Sequence, residues 1–131
     1  MLEKNFQIRF KHYLEKTNPT TSTAYELKVE RGNRFSIKTW ITKQPHQLRG
    51  LLLASQPNEI CYHKISDASY EQKPFDCFVM ANAEAYLVIY YEKEKSTVMI
   101  EAKIIHDLLT LEVSSVTVFE LLAMGALQIK V

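Results

Sequence analysis

In Thr23-Ala24-Tyr25-Glu26-Leu27-Lys28-Val29 apolar and polar side chains alternate, the period-two pattern of a half-buried strand. Tyr25, Leu27 and Val29 fall on one face, and Glu26 and Lys28 fall on the other. A carboxylate and an ammonium are thereby held side by side on a rigid element. Joined by a second acid, such a pair suits a divalent cation and a water aimed at a phosphodiester. Glu-x-Lys alone is common in strands, so the remainder of the chain must supply the site.

Working outward, Leu2, Phe6, Phe10 and Leu14 recur every four residues, with Tyr13 on the same side. This spacing predicts an amphipathic helix over 2–16, ended by Asn18-Pro19. The first strand spans 23–30, and Arg31-Gly32-Asn33 forms a turn. Phe35, Ile37, Trp40 and Ile41 read as an irregular apolar connection. Pro45 suits the first turn of a helix through about Ser55, closed by Gln56-Pro57-Asn58. The second half is strand-rich, with strands expected over 60–66, 74–80, 85–91 and 97–103. The segment 85–91 is almost unbroken apolar, as in a strand covered on both faces. A helix over 104–112 follows. Thr117-x-x-Glu120 has the form of a capping box, Gly125 can end a short helix, and Leu127, Ile129 and Val131 alternate as a last strand. The fold class is α/β: a single domain over 1–131, its central mixed β-sheet flanked by the 2–16 and 45–55 helices.

A chain of 131 residues that is 47% hydrophobic can bury one core, which excludes a disordered segment. No apolar stretch reaches membrane-spanning length, and the first residues do not form a signal peptide. Cys61 and Cys77 lack metal or redox spacing, so free thiols are expected. The expected location is therefore the cytoplasm, with no membrane partner. Net charge is only +1, but it is segregated: residues 1–50 carry +6 and the remainder −5. A basic half suits a protein that touches phosphates on one face.

Two further elements bear chemistry. Lys73-Pro74-Phe75-Asp76-Cys77-Phe78 places Asp76 at the start of an apolar strand, where its charge can face a cleft; buried there, it would need a partner. The second helix carries Gln44, His46 and Gln47. Gln47 borders the face that packs on the sheet, where it can hydrogen-bond a carboxylate, a metal-bound water or a phosphate.

Glu26-Leu27-Lys28, Arg31, Phe35-Ser36, His46-Gln47 and Leu51, in that order, resemble the core of RecU-type Holliday junction resolvases of the PD-(D/E)XK nuclease superfamily. Tyr62-His63-Lys64-Ile65-Ser66-Asp67 and the Asp76 segment resemble phage- and plasmid-type proteins of that kind, and the similarity covers roughly residues 1–103. The resemblance implies a restriction-endonuclease-like sheet and Mg²⁺- or Mn²⁺-dependent cleavage of branched DNA. It implies Glu26 and Asp76 as metal ligands and Lys28 as the residue that orients or deprotonates water. Gln47 and Glu3, the leading-helix glutamate, would complete the catalytic set. Arg31, Arg34, Lys38 and Lys64 would contact DNA phosphates, and a homodimer would be needed to cut two strands symmetrically. One departure stands out: the superfamily's acid precedes Glu-x-Lys, and this chain has no Asp before Asp67. Asp76 would have to migrate into place, the 74–91 hairpin lying beside the Glu26 strand.

Glu101-Ala102-Lys103 is a rival Glu-x-Lys, and Asp76 precedes it in the conventional order. In a meander, however, the 85–91 strand would separate the two, and no glutamine-bearing helix follows. Two other classes of function fit the same residues: a nuclease-like fold that binds DNA without cutting it, and a small phage-type interaction protein whose apolar 113–131 tail is an interface.

Overall fold

A central strand apolar on both sides can be stable only between two layers, and the fold is built around one. The computed structural model describes residues 1–17, 23–55, 61–64, 77–80 and 84–131, with 61–64 and 77–80 described by their backbone. In chain order the elements are α1 (Glu3–Thr17), β1 (Thr23–Glu30), β2 (Phe35–Ser36), α2 (Ile37–Lys43), α3 (Pro45–Ser55), β3 (Cys61–Lys64) and β4 (Cys77–Met80), then β5 (Glu84–Tyr91), β6 (Ser96–Glu101), α4 (Ala102–Thr110), β7 (Ser115–Val116), α5 (Val118–Ala123) and β8 (Leu127–Ile129). The main sheet is mixed, in the order β1-β5-β6-β8. β1 runs parallel to β5, and the β5–β6 and β6–β8 pairs are antiparallel.

The alternation in β1 and β5 sorts side chains into two cores. Leu87, Ile89 and Tyr91 join Val98 and Ile100 against α2, α3, α4 and α5, through Trp40, Leu51, Ile105 and Leu121 among others. Val88, with Tyr25, Leu27, Val29, Tyr86 and Tyr90 around it, meets Phe6 and Phe10 of α1. The result is a single α/β domain with helices on both sheet faces, as the alternation implies.

Three expectations need correction. The 35–41 segment is not irregular: Phe35 and Ser36 pair with β7, and α2 begins at Ile37. Ser36 caps α2, its hydroxyl accepting from the Thr39 amide at 3.1 Å, while Ile37 and Trp40, three apart, bury one stripe. The strand expected over 97–103 stops at Glu101, and α4 starts at Ala102 instead of 104, because Ala102 is buried as its first residue. Finally, β4 does not extend the sheet beside β5. It pairs with β3, and β5, apolar on both faces, takes the central position between β1 and β6. The β3–β4 register sets Cys61 opposite Met80 and Cys77 opposite Lys64, so the two cysteines stand at opposite ends of that ladder.

The capping box forms as read, with the Thr117 hydroxyl accepting from the Glu120 amide and Glu120 accepting from the Thr117 amide. Gly125 follows α5 at φ +94°, a conformation that disfavours any residue with a Cβ. Tyr91 ties the layers together. It is wholly buried, and its hydroxyl donates to the Val116 carbonyl at 2.9 Å. Burial, reinforced by the Glu30 and Glu120 charges, pushes this phenol above its ordinary value, so it remains a donor. Tyr91→Phe strips a buried carbonyl of that donor and is expected to cost about 1–3 kcal/mol, read as a lower urea midpoint with unchanged slope.

Candidate active site around Glu26 and Lys28

Glu26 and Lys28 stand on the β1 face that carries Ala24 into the larger core, opposite the α1 side. β1 is an edge strand of the sheet among the described residues. Its polar side chains therefore border the core without being sealed in it: the Glu26 side chain is 25% exposed and that of Lys28 is 12% exposed. The Lys28 ammonium lies 3.8 Å from Glu26 Oε1 and donates to Gln44 Oε1 at 2.8 Å.

Gln44 can hold the lysine because its own backbone is fixed. Its amide donates to the Trp40 carbonyl at 2.8 Å, ending α2, and its carbonyl accepts from the Gln47 amide at 3.1 Å, opening α3. Pro45 then starts the next helix. Gln47, expected at the site, instead accepts from the Trp40 indole at 2.6 Å through its Oε1. The two glutamines thus divide the tasks: Gln47 anchors a buried tryptophan and Gln44 holds the lysine. Sequence reasoning had Gln44 in view as part of the helix entry but gave it no role. Its position directly before Pro45, where a helix must break, was the available signal.

Burial pushes the Glu26 carboxyl above the usual carboxylate range. Lys28 draws it back, and the charge of Glu3 raises it again. Glu3, in the first turn of α1, is thus near enough for its charge to be felt at Glu26, although α1 packs on the other sheet face. A half-buried carboxylate held against its own desolvation weakens the fold. With the folded value raised, the folded chain binds the Glu26 proton more tightly than the unfolded one. Stability therefore falls as pH rises from the ordinary carboxylate value through the folded value, and stays lower at neutral pH. Glu26→Gln is expected to raise the melting temperature at pH 7, with a gain that disappears toward about pH 4, as melting curves across that range would show.

The remaining candidates are dispersed. Arg34 is committed inside the chain: Nη1 lies 2.9 Å from Glu120 Oε1, Nε donates to Ser115 Oγ at 2.9 Å, and Nη2 donates to the Ser115 carbonyl at 3.2 Å. Arg31 is 71% exposed and lies 4.0 Å from Glu92, which also pairs with the Met1 ammonium. Lys38 is exposed in the first turn of α2, and Lys64 ends β3. Asp76 and Asp67 lie outside the described residues. Among the described residues no three acidic, histidine or cysteine side chains gather closely enough to hold a metal. Glu26 offers a single hard carboxylate, and a cation there would need a second acid.

The rival Glu101-Ala102-Lys103 straddles the β6–α4 junction, so its alternation is broken by the start of the helix. The fold adds to it an acid the sequence did not reveal. Glu84, two residues before Tyr86, comes close because Tyr86 pairs with Glu101 across the sheet. Glu84, Glu101, Lys103 and Tyr86 line a cavity of about 270 Å³. The Tyr86 hydroxyl donates to Glu84 Oε2 at 3.2 Å, and burial followed by the charges of Glu84 and Glu101 pushes this phenol up.

No family model, no curated protein and no solved structure matches this chain. Among the described residues no helix is long and apolar enough to cross a membrane.

Proposed function

We propose that the chain is a metal-dependent DNA endonuclease of the PD-(D/E)XK type, cutting branched, four-way-junction DNA in the cytoplasm as a homodimer. The supporting observation is the Glu26–Lys28 pair on a sheet edge, with its lysine fixed by Gln44 and its carboxyl kept high by burial and Glu3. An ammonium has three donors. Gln44 takes one and Glu26 sits at ion-pair distance, so Lys28 retains hydrogen-bonding capacity for a phosphate oxygen or the attacking water. Glu26 and Asp76 would hold Mg²⁺ or Mn²⁺, which supplies Lewis-acid stabilisation of the phosphate. Glu3 keeps a second negative charge nearby, while Arg31, Lys38 and Lys64 offer cations for flanking phosphates. Purified protein is expected to nick a synthetic four-way junction with Mg²⁺ or Mn²⁺ and to leave it whole in EDTA. Cleavage that persists in EDTA, or none with either metal, would contradict the proposal.

A second location for the same chemistry is favoured by one observation, the convergence of Glu84, Glu101 and Lys103 on one cavity. There the two acids come from neighbouring strands, and Tyr86 donates to one of them.

A further inference from the structure

Helix α1 covers only part of the sheet face on which it packs. Phe6 and Phe10 sit over Val88, while Tyr90, Met99, Ile129 and Val131 on the same face are only partly buried. Between α1 and β8 this leaves a groove of about 720 Å³, with Arg9 on one wall, Lys130 on the other and Lys95 at the β5–β6 turn. A smaller groove of about 250 Å³ continues from it, sharing Arg9, Lys130 and Val131 and adding His12, Tyr13 and Lys16. Arg9, His12, Tyr13 and Lys16 follow the i, i+3, i+4, i+7 spacing, so a single face of α1 carries them.

Several cations converge on this one concavity. Arg9, Lys16, Lys95 and Lys130 are all exposed. Among the described residues none has an ion-pair partner within 4.0 Å, as holds for other exposed lysines such as Lys11 and Lys43, while Lys28, Arg31 and Arg34 are paired. No Asp or Glu lines either groove. The surface thus concentrates unneutralised positive charge in a concave setting, where field lines are focused.

Two rings are set into it. Tyr13 stacks on Phe10 at 5.8 Å, and Tyr90 leans on Phe6 at 5.7 Å. Each is held from behind by a buried phenylalanine and contributes to the lining in front. Gln128 and Ser96, which border the groove along the β6–β8 edge, are joined by the Gln128 amide donating to the Ser96 hydroxyl at 2.9 Å. A basic groove with aromatic rings inside it matches the chemistry of an unpaired nucleic-acid strand: phosphates meet the cations, and a base exposes the π-face that a tyrosine can cover. A duplex hides those faces, and an acidic peptide has no use for them.

We propose that the α1–β8 groove binds single-stranded nucleic acid, with Arg9, Lys16, Lys95 and Lys130 on phosphates and Tyr13 and Tyr90 against bases. The groove lies on the sheet face opposite Glu26, and binding there does not depend on Glu26 holding a metal. The test is therefore run with the Glu26→Gln protein in EDTA, where cleavage plays no part, by fluorescence anisotropy of a labelled oligothymidylate across a salt series. Four phosphate contacts predict a slope of log K against log salt near −3, at about −0.7 per contact for a single strand. Arg9→Ala with Lys130→Ala should flatten it by about 1.4 units. Lys11→Ala with Lys43→Ala removes the same charge from outside the groove and should leave the slope unchanged. Tyr13→Leu should weaken binding by about tenfold, within the range of one stacked base. The substituted basic residues are exposed, and circular dichroism checks their fold; should a variant unfold, the slope of the otherwise unaltered protein still decides. A slope near zero, equal losses from both double variants, or equal affinity for the oligothymidylate's duplex or for polyglutamate of matched charge would each overturn the proposal.

Discussion

Glu26→Gln is expected to reduce metal-dependent cleavage of a four-way junction by about 10³-fold or more, on the order of what one preorganised charged group supplies in a reaction centre, while gel-shift binding persists. The glutamine keeps the shape of the side chain and removes the charge that holds the cation. The same variant is expected to be more stable at pH 7, since burial disfavours the native carboxylate. Lost activity together with gained stability distinguishes a functional acid from a structural one; a drop in both would mark Glu26 as mere support for Lys28. Asp76→Asn should abolish cleavage in the same way. Gln44→Leu frees Lys28 of its 2.8 Å partner and should lower the rate by about 10–100-fold, as loss of an orienting neighbour does. Gln47→Leu should act mainly on stability, because its amide oxygen serves Trp40.

Phe6→Ala is the substitution expected to damage the fold most. The ring is completely buried, 5.7 Å from Tyr90 and 6.3 Å from Phe10. Removing it leaves a cavity between α1 and the sheet, and phenylalanine-to-alanine changes of that kind cost about 3–5 kcal/mol. That is a large share of the roughly 5–15 kcal/mol by which domains are stable. Ile8→Ala, in the same helix but half exposed, should change the denaturation midpoint little. Comparable losses from the two would mean that α1 does not cover the sheet as described.

The parts of this fold that were legible in sequence are those where neighbouring residues decide the outcome. In β1 each side chain's face follows from alternation, and Tyr25, Leu27 and Val29 do meet α1 while Glu26 and Lys28 face away. In α5 the Thr117–Glu120 box carries its own hydrogen bonds. Helix α2 was missed because Ile-Lys-Thr-Trp-Ile-Thr-Lys is rich in β-branched residues that resist helix formation. Burial of Ile37 and Trp40, with the Ser36 cap, overrides that preference. The basic first half also looked freer than it is. Arg34 and Arg31 meet Glu120 and Glu92 from the acidic half, so charge segregated along the chain is partly re-mixed in space. Glu84 could not have been grouped with Glu101, because only the β5–β6 register brings them together. Nor could Arg9 be joined to Lys130, which depends on how α1 crosses the sheet.

The central claim is that a divalent cation is bound at Glu26, and the most direct measurement is anomalous diffraction from a crystal of the protein soaked in Mn²⁺. The account predicts a peak within coordination distance of Glu26, about 2 Å from a carboxylate oxygen, with Asp76 on its other side and the two carboxylates about 4–5 Å apart. A peak between Glu84 and Glu101 with none at Glu26 would contradict it and move the reaction centre across β5, from the β1 side to the β6 side.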